Sequence, residues 1–449
     1  MSDVVTQLTE ALGVAVSTQR DELSAARADA SGHVSAAVPL AVVSARCVED
    51  VQVVMRIATA TRTPVVTRGA GTGLAGGAVA GQGEIVLSTL GMNQLLEVSV
   101  DNRFAVVEPG ILNGDLNAQL LDYGLWFAPD PASRAISTVG GNIATNAGGL
   151  LCAKYGVTRE AVLGLKVVMA DGRLLTLGHR TVKGVTGLDL TALMIGSEGT
   201  LGVIVEATLK LLPLVRGEVS TISAQFESEE QAAQAAAAIA STGLNPAIME
   251  IVGVSAMAAI ANHLQIARPK GAQLLVQFDG AGAPGEAQAA LVTIHALGAT
   301  AELTTDPSEG ERLFESRRAF YPAMLNLGTV LIEDVCVPRT ELAAMFAAIR
   351  EVEHRYSISI PTVAHAGDGN LHPNFIFVGT EVPDEIWAAA DELFLAALRM
   401  GGTLTGEHGV GILKRRWIKD ELGEDQLELQ KQVKDVFDPL GILNPGKVF

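Results

Sequence analysis

The chain has 449 residues, a formal net charge of −18 and a mean hydropathy of +0.32. Its length predicts two or more domains, and its acidic charge disfavours nucleic acid or an anionic membrane as the main partner. It contains no run of eighteen apolar residues, and Cys47, Cys152 and Cys336 lack a paired spacing, which excludes a membrane span and disfavours a disulfide framework or a cysteine-ligated zinc site.

The N-terminal segment, residues 1–35, reads as a helix with an amphipathic period over residues 4–14, followed by a polar arm. It has neither the basic and apolar regions of a signal peptide nor the arginine-rich character of a transit peptide. We therefore expect a freely soluble, cytoplasmic protein in a reducing compartment.

A first domain is predicted for residues 36–215. Strand patterns at Ala41–Ser44 and before Arg68 flank a helical pattern at Val48–Thr61, which makes a β-α-β unit. Further strand patterns follow, the next of them at Ile85. The region between the second strand and Ile85 is rich in glycine and is the first candidate for a binding loop.

In this first loop, Gly71, Gly73 and Gly76 match the Gly-x-Gly-x-x-Gly fingerprint. That fingerprint indicates a Rossmann dinucleotide site only when the loop opens a helix, and here another strand pattern follows instead. Closely spaced glycines still allow backbone N–H groups to surround a diphosphate, with Arg68 beside them as a cation. The alternative interpretation is a flexible turn.

A second glycine-rich segment runs from Pro129 to Gly149, and a third runs from Gly196 to Gly202. Two long loops of this kind imply one long cofactor. In order and spacing, the three segments resemble the flavoprotein family of vanillyl-alcohol oxidase and p-cresol methylhydroxylase, and the resemblance covers almost the whole chain. In that family the first loop wraps the FAD pyrophosphate and the second passes the flavin and its ribityl chain.

The resemblance implies that FAD is the cofactor. We expect it to be bound non-covalently, because residues 67–83 contain no histidine or cysteine that could tether the flavin. The C-terminal segment, residues 401–449, is expected to return to the FAD-binding domain; the alternative is a plain Pro/Gly terminus. The positions that the resemblance places along FAD are Arg68, Gly69, Ala70, Gly71, Thr72, Gly73, Pro129, Asp130, Ser133, Thr138, Gly141, Asn142, Thr145, Val203, Ile204 and Asn444.

A second domain is predicted for residues 216–400. An alanine-rich helix over Ser228–Ser241 is followed by strand patterns near 247–252 and 273–279 and by a helix over Gly285–Leu297, which indicates an antiparallel sheet covered by helices. The predicted fold class is α+β: a two-domain flavoprotein with a p-cresol methylhydroxylase-type FAD-binding domain and an antiparallel-sheet substrate (cap) domain.

The second domain contains a histidine pair in a predicted hairpin. If Asp368-Gly369 is a two-residue turn, His365 faces His372 directly across the ribbon. Facing residues have Cβ atoms about 4.5–5.5 Å apart, so two neutral imidazoles could bind one divalent ion. The alternative is a structural pair, stacked in the sheet or bonded to a carboxylate.

Further along the chain, Glu407 and His408 lie next to each other in a glycine-rich bend. Glu407 could complete a two-histidine, one-carboxylate metal site, and His408 could act as a general base. The alternative is a solvated loop with a chance Glu-His pair. The ligand set suits zinc, manganese or iron equally.

Both stretches resemble the FAD-linked D-2-hydroxy acid dehydrogenases, namely flavin-type D-lactate dehydrogenase, D-2-hydroxyglutarate dehydrogenase and the catalytic subunit of glycolate oxidase. The expected reaction is oxidation of the hydroxy acid to the 2-oxo acid, with hydride transfer to flavin N5 and a metal on the substrate hydroxyl and carboxylate. The resemblance implies metal ligands at His365, His372 and Glu407, a general base at His408, a carboxylate-binding Arg317 and a substrate-contacting Asn374.

The expected substrate is a monocarboxylate such as D-lactate or glycolate, or a longer D-2-hydroxy acid with an apolar tail. Tyr321 and Ile332 stand where the 2-hydroxyglutarate branch has a Thr and a Lys for the distal carboxylate. D-2-Hydroxyglutarate is therefore the alternative substrate. A metal-free FAD alcohol or sugar-lactone oxidase and a non-catalytic flavin subunit are alternatives of a different class.

The sequence leaves the electron acceptor open among a quinone, a cytochrome, an electron-transfer flavoprotein and oxygen. A small-molecule 2-hydroxy acid is the only partner that it favours, and a homodimer is compatible with an acidic, Ala- and Val-rich chain of this size.

Overall fold

The structure, a computed structural model, describes residues 3–379 and 381–449. Within them the α-helices, in chain order, are α1 (Asp3–Leu12), α2 (Arg20–Ala25), α3 (Val48–Thr61), α4 (Asn113–Leu120), α5 (Val139–Thr145), α6 (Cys152–Tyr155), α7 (Leu190–Met194), α8 (Glu229–Ser241), α9 (Val254–Leu264), α10 (Ala283–Ala296), α11 (Pro307–Leu313), α12 (Glu315–Leu325), α13 (Leu342–Tyr356), α14 (Asp384–Arg399) and α15 (Ile418–Phe437).

The strands in the same described residues are β1 (Val16–Ser17), β2 (Ala41–Ser44), β3 (Val65–Arg68), β4 (Ile85–Ser88), β5 (Leu95–Ser99), β6 (Phe104–Val107), β7 (Leu125–Trp126), β8 (Val162–Val168), β9 (Leu174–Gly178), β10 (Val203–Lys210), β11 (Leu212–Pro213), β12 (Glu218–Phe226), β13 (Ile248–Val252), β14 (Ala272–Gly280), β15 (Thr300–Thr304), β16 (Thr329–Ile332), β17 (Val335–Cys336), β18 (Thr362–His365) and β19 (Asn370–Phe377).

The chain divides into two compact units. Unit 1 consists of Met1–Gly148, Gly156–Leu214 and Glu407–Phe449. Unit 2 consists of Gly149–Tyr155 and Val215–Gly406. The short segment Gly149–Tyr155, which contains α6, thus belongs to unit 2, although the chain on both sides of it belongs to unit 1.

The β-α-β unit predicted at the start of the first domain is confirmed. In unit 1, β2 and β3 both pair in parallel with β4, and α3 connects β2 to β3. The helix buries Val51, Val54, Met55 and Ala58, whose i, i+3, i+4, i+7 spacing places them on one face. Each large apolar side chain buried there contributes about 1.5–3 kcal/mol to stability.

The first glycine-rich loop joins two strands, as the sequence predicts. It leaves β3 at Arg68 and reaches β4 at Ile85, and residues 69–84 contain no helix. Because β3 and β4 are parallel neighbours, the chain must return along the full strand length, and this loop makes the return without the usual helical crossover. Because the loop is not helical, its backbone N–H groups are not used in the hydrogen bonds of a helix and can bond to other partners.

Unit 1 also contains an antiparallel sheet with the strand order β5-β6-β10-β8-β9. Side chains of α4 and α5, including Leu116 and Ile143, share one hydrophobic core with this sheet. The polar arm before β2 contains one short helix, α2, which has Asp21 and Glu22 in its first turn, where acidic side chains favour a helix N-terminus.

Unit 2 is built on an antiparallel sheet with the strand order β15-β12-β14-β13-β18-β19-β16, and β17 pairs with β19 as well. The antiparallel sheet predicted for the second domain is confirmed, as are its alanine-rich helix α8, capped by Ser228, and its helix α10. Among the described residues, no helix is both long enough and apolar enough to cross a membrane.

Candidate active site

The first glycine-rich loop of unit 1 is built around Arg68. Its guanidinium turns back over the loop and donates a 2.9 Å hydrogen bond from Nη1 to the backbone oxygen of Ala78. Gly71 has φ = +71°, and a Cβ there would overlap the guanidinium of Arg68. Glycine, which has no Cβ, both adopts this positive φ readily and leaves room for the guanidinium. Burial lowers the pKa of Arg68, against the opposing charge of Asp29, but a guanidinium stays protonated in water.

The second glycine-rich segment contacts the first. Thr138 precedes α5 and its Oγ1 accepts a 3.1 Å hydrogen bond from the N–H of Gly141. A Cβ on Gly69 would overlap that same Oγ1 atom, so the close approach requires glycine. The two segments that the sequence assigns to one cofactor therefore lie side by side within unit 1.

The C-terminal tail reaches the same region of unit 1. Its backbone pairs with β3 through Asn444, whose N–H donates to the carbonyl of Val65. The Asn444 side chain donates from Nδ2 to the backbone oxygens of Gly77 (3.0 Å) and Glu198 (2.7 Å). Asn444 thus connects the first and third glycine-rich segments.

These residues of unit 1 fit a bound flavin nucleotide. The buried atoms Thr67 Oγ1 and Asn444 Oδ1 have no hydrogen-bond partner within the described part of the chain. Buried polar atoms are normally satisfied, so the two atoms indicate a polar ligand beside these loops. The side chains of Val203 and Ile204, in contrast, pack into the two hydrophobic cores of unit 1, and both residues are paired with β8. Their contact with FAD stays a prediction from the sequence.

In unit 2 the hairpin of β18 and β19 forms, but its predicted register is wrong. His365 is paired with Asn370, and His372 is paired with Val363, so the two histidines are not directly opposite. The turn has four residues, 366–369. Within this turn Gly369 has φ = +92°, and its carbonyl accepts a hydrogen bond from the N–H of Val337, directly after β17.

The histidines are nevertheless neighbours, because paired positions two residues apart lie on the same face of a sheet. The ring centroids of His365 and His372 are 5.0 Å apart, with an angle of 83° between the rings. Their ligand nitrogens lie within 4.8 Å of each other. That spacing suits two ligands of one divalent ion, each of which would bind at about 2.0–2.1 Å.

Glu250 on β13 contacts one member of this pair, His365. It is paired with His365 in the sheet, its side chain is fully buried, and its Oε1 lies 2.6 Å from His365 Nδ1. Its other oxygen accepts a 2.7 Å hydrogen bond from Nε of Arg317 on α12. Burial alone would raise the pKa of Glu250, but the charges of His365 and Arg317 outweigh burial and lower it.

The sequence interpretation missed Glu250. The available signal was its place in Ile248-Met-Glu-Ile-Val252, a strand that is apolar on both faces except for one carboxylate. A charge in such a strand is stable only when it is paired.

The surroundings of His372 are also acidic. Asp334 is fully buried, and its Oδ1 lies 3.8 Å from His372 Nδ1. Asp334 accepts hydrogen bonds from Asn370 (2.5 Å) and from Thr405 (2.7 Å). Asn374, also fully buried, donates from Nδ2 to the backbone oxygen of His372, and its Oδ1 has no partner among the described residues.

Glu407 and His408 begin the last segment of unit 1. Glu407 Oε1 lies 3.8 Å from His408 Nε2. Glu407 also lies so close to Gly148 that a Cβ on that glycine would be 2.5 Å from its Oε2. The bend after His408 is fixed by Glu198, which accepts hydrogen bonds from the backbone N–H groups of Val410 (2.7 Å) and Gly411 (2.8 Å).

The two positions at which the sequence differs from the 2-hydroxyglutarate branch lie in unit 2. Tyr321 on α12 is 46% exposed. Ile332 ends β16 and is paired with Asn374 in the sheet. Their roles in selecting a substrate remain predictions from the sequence.

The parallel β-α-β layer, the loops that fit a flavin and the antiparallel sheet of unit 2 define a flavin-dependent oxidoreductase. Residues 39–178 match the family described as FAD binding domain, and residues 217–448 match the family described as FAD linked oxidases, C-terminal domain. The chain belongs to the FAD-linked oxidase family.

Characterised relatives agree with this assignment over most of the chain. It is 38% identical over 420 residues to the glycolate oxidase subunit GlcD of Bacillus subtilis, covering 92% of this chain and 89% of that protein. It is 37% identical over 404 residues to the D-lactate dehydrogenase of Archaeoglobus fulgidus, covering 89% of each.

Solved structures confirm the predicted fold. The structure of p-cresol methylhydroxylase has a TM-score of 0.81 at 17% identity and covers 99% of this chain and 96% of its own. An alkyldihydroxyacetonephosphate synthase has a TM-score of 0.74 at 18% identity, covering 99% of this chain and 84% of that one. At these identities the likeness concerns the fold alone.

Proposed function

We propose that this enzyme oxidises a D-2-hydroxy acid to the 2-oxo acid, with a monocarboxylate such as D-lactate or glycolate as substrate. The observation that carries the proposal is the arrangement in unit 2 of three buried residues, His365, His372 and Glu250, with the half-buried Arg317. It combines ligands for a divalent cation with a cation for a carboxylate. The similarity to a glycolate oxidase subunit and to a D-lactate dehydrogenase supports the same substrate class.

The metal ligands in this proposal are His365, His372 and Glu407. Thr405, two residues before Glu407, is bonded to Asp334 beside His372, which supports a return of the chain toward the histidine pair. Two imidazoles and a carboxylate suit zinc, manganese or iron. When bound, such an ion stabilises the negative charge that develops on the substrate hydroxyl.

The substrate carboxylate is assigned to Arg317. Its Nε is used by Glu250, which leaves the edge formed by its two Nη atoms for a two-pronged contact. The buried Oδ1 of Asn374 offers an acceptor for the substrate hydroxyl.

His408 is assigned the role of general base for the hydroxyl proton. FAD, held by the glycine-rich loops and Asn444, supplies the hydride acceptor when bound. The hydrogen bonds from Val410 and Gly411 to Glu198 support a fixed position for His408, which lies two residues before Val410.

The reaction is tested by mixing the FAD-loaded protein anaerobically with D- and L-lactate, glycolate and D-2-hydroxyglutarate while flavin absorbance is recorded. We expect fast bleaching by D-lactate or glycolate that is lost after chelation and restored by added metal. The variant His365→Asn should behave like the chelated protein, and His295→Asn, an exposed histidine on α10, is the matched control.

Bleaching that survives complete metal removal would instead identify a metal-free alcohol or lactone oxidase. The absence of bleaching by every 2-hydroxy acid, with FAD bound, would refute the proposal.

A further inference from the structure

We propose that Glu250 is a positioning residue that fixes the metal-binding tautomer of His365 and the orientation of Arg317 together, so that metal binding and carboxylate binding are linked through one buried side chain. The inference rests on the proposed function, in which His365 is a metal ligand and Arg317 binds the substrate.

The two oxygens of Glu250 have different partners. Oε1 lies 2.6 Å from His365 Nδ1, and Oε2 lies 2.7 Å from Arg317 Nε. Since Glu250 and His365 are directly paired between β13 and β18, the backbone of the sheet itself sets the first contact. Arg317 approaches from helix α12, outside the sheet, so the carboxylate is the link between the two elements.

An ionised carboxylate can only accept hydrogen bonds. In a neutral His365 the ring proton is therefore on Nδ1, and Nε2 is the nitrogen that would ligate a cation. Carboxylates that fix a ligand imidazole in this way are common beside metal sites, and their removal lowers metal affinity about 10- to 100-fold.

The contact with Arg317 is equally directional. The guanidinium is planar, so a hydrogen bond at Nε fixes the plane and aims the Nη edge. Without Glu250 the side chain would keep its charge but lose that orientation.

A purely stabilising role explains these contacts less well. The neighbours of Glu250 in the strand, Ile248, Met249, Ile251 and Val252, are buried and apolar. Buried ion pairs contribute little net stability relative to apolar residues of similar size. Stability alone would be served by another apolar residue at this position.

Glu250→Gln tests the inference on the full-length, FAD-loaded protein. A glutamine side chain has one oxygen and one NH₂ group in place of the two oxygens, so one of the two contacts, Nδ1–H or Nε–H, would face a donor instead of an acceptor. If its amide N–H donates to His365 Nδ1, the ring proton moves to Nε2 and blocks the metal. Glu250→Asp keeps the charge on a shorter side chain and should recover part of the loss.

Two quantities are measured. The affinity for Zn²⁺ and for Mn²⁺ is obtained by competition with a chromophoric chelator, and we expect Glu250→Gln to weaken it about 10- to 100-fold. The affinity for pyruvate, at saturating metal, is obtained from the perturbation of the flavin spectrum, and we expect it to fall about tenfold or more.

Asp279→Asn is the matched control. Asp279 lies on β14 of the same sheet and is paired with Lys154 and Tyr155, so the change removes a bonded carboxylate elsewhere in unit 2. It should leave metal affinity unchanged. Circular dichroism and the melting temperature identify a variant that has not folded, in which case Glu250→Asp carries the test.

The outcomes separate the two proposals. Glu250→Gln that folds and keeps metal and pyruvate affinities within twofold of wild type overturns the positioning role. Wild-type protein that binds neither Zn²⁺ nor Mn²⁺ overturns the proposed function first, and the role of Glu250 with it.

Discussion

Glu198 accepts a 2.8 Å hydrogen bond from the backbone N–H of Gly411, three residues after His408. Its other oxygen accepts from Val410, so one carboxylate closes the bend that follows His408. Burial raises the pKa of Glu198 to about 7, even though the two backbone hydrogen bonds and Lys414 favour the ionised form. The third glycine-rich segment therefore combines a structural contact with a titration near neutral pH.

The raised pKa predicts how stability depends on pH. A carboxyl group whose pKa is higher in the folded than in the unfolded protein stabilises the folded state at low pH, and that contribution is lost as the pH rises from the unfolded value to the folded one. The window for Glu198 runs from 4.5 to about 7, and the full loss is on the order of 3 kcal/mol. Glu198→Gln resembles the protonated form. The melting temperature of this variant minus that of wild type should therefore increase from pH 5 to pH 8.

Glu97→Gln, at a half-exposed position on β5, is the control for that experiment. A melting-temperature difference between wild type and Glu198→Gln that stays constant from pH 5 to pH 8 would contradict the prediction.

Gly71→Ala should weaken FAD binding more than Gly83→Ala. Both glycines have positive φ, +71° and +81°, in the same loop, so both substitutions cost about 1 kcal/mol of backbone strain. Only the Cβ at position 71 meets the guanidinium of Arg68, whereas nothing lies within 4 Å of the one at position 83. Fluorescence of released FAD should show a dissociation constant raised about tenfold for Gly71→Ala and nearly unchanged for Gly83→Ala. Equal changes in the two dissociation constants would show that the position of Arg68 does not affect FAD binding.

The sequence predicted the fold well because the fold depends on local periodicity. The face of α3 that carries Val51 and Met55, and the absence of a helix after Gly76, can both be read from neighbouring residues. In the histidine hairpin, by contrast, the turn residue Gly369 accepts a hydrogen bond from Val337, which lies 32 residues earlier. No local pattern contains that contact, so the two-residue turn was an unsuccessful prediction.

The candidate site was predictable only in part. The histidines and Arg317 stand in recognisable motifs, but Glu250 comes from a strand more than a hundred residues before His365. A role for Asp334 likewise could not be predicted from the sequence, although Thr405 and Asn370 both donate hydrogen bonds to it. Residues that position a reactive group are brought to it by the tertiary fold, so their spacing along the chain is not fixed and no sequence motif reveals them.

His408→Gln should slow flavin bleaching by the hydroxy acid about 10²- to 10⁴-fold, the usual contribution of a general base. Rapid mixing under anaerobic conditions measures the rate, and the Zn²⁺ and FAD contents should equal those of wild type. The exposed His354→Gln on α13 is the control. A bleaching rate within tenfold of wild type would assign the proton transfer to another group.

Ile332→Lys should shift the substrate preference toward a dicarboxylate. Ile332 is paired with Asn374 at the end of β16, so a lysine there would place a cation on the strand next to a proposed substrate contact. We expect kcat/KM for D-2-hydroxyglutarate relative to D-lactate to rise about tenfold, which corresponds to about 1.4 kcal/mol of differential binding in the transition state. Ile332→Met, of similar length without the charge, is the matched control and should leave the ratio unchanged. If both variants change the ratio equally, side-chain size at this position sets the preference; if neither changes it, the distal end of the substrate lies elsewhere and the assignment of Ile332 is wrong.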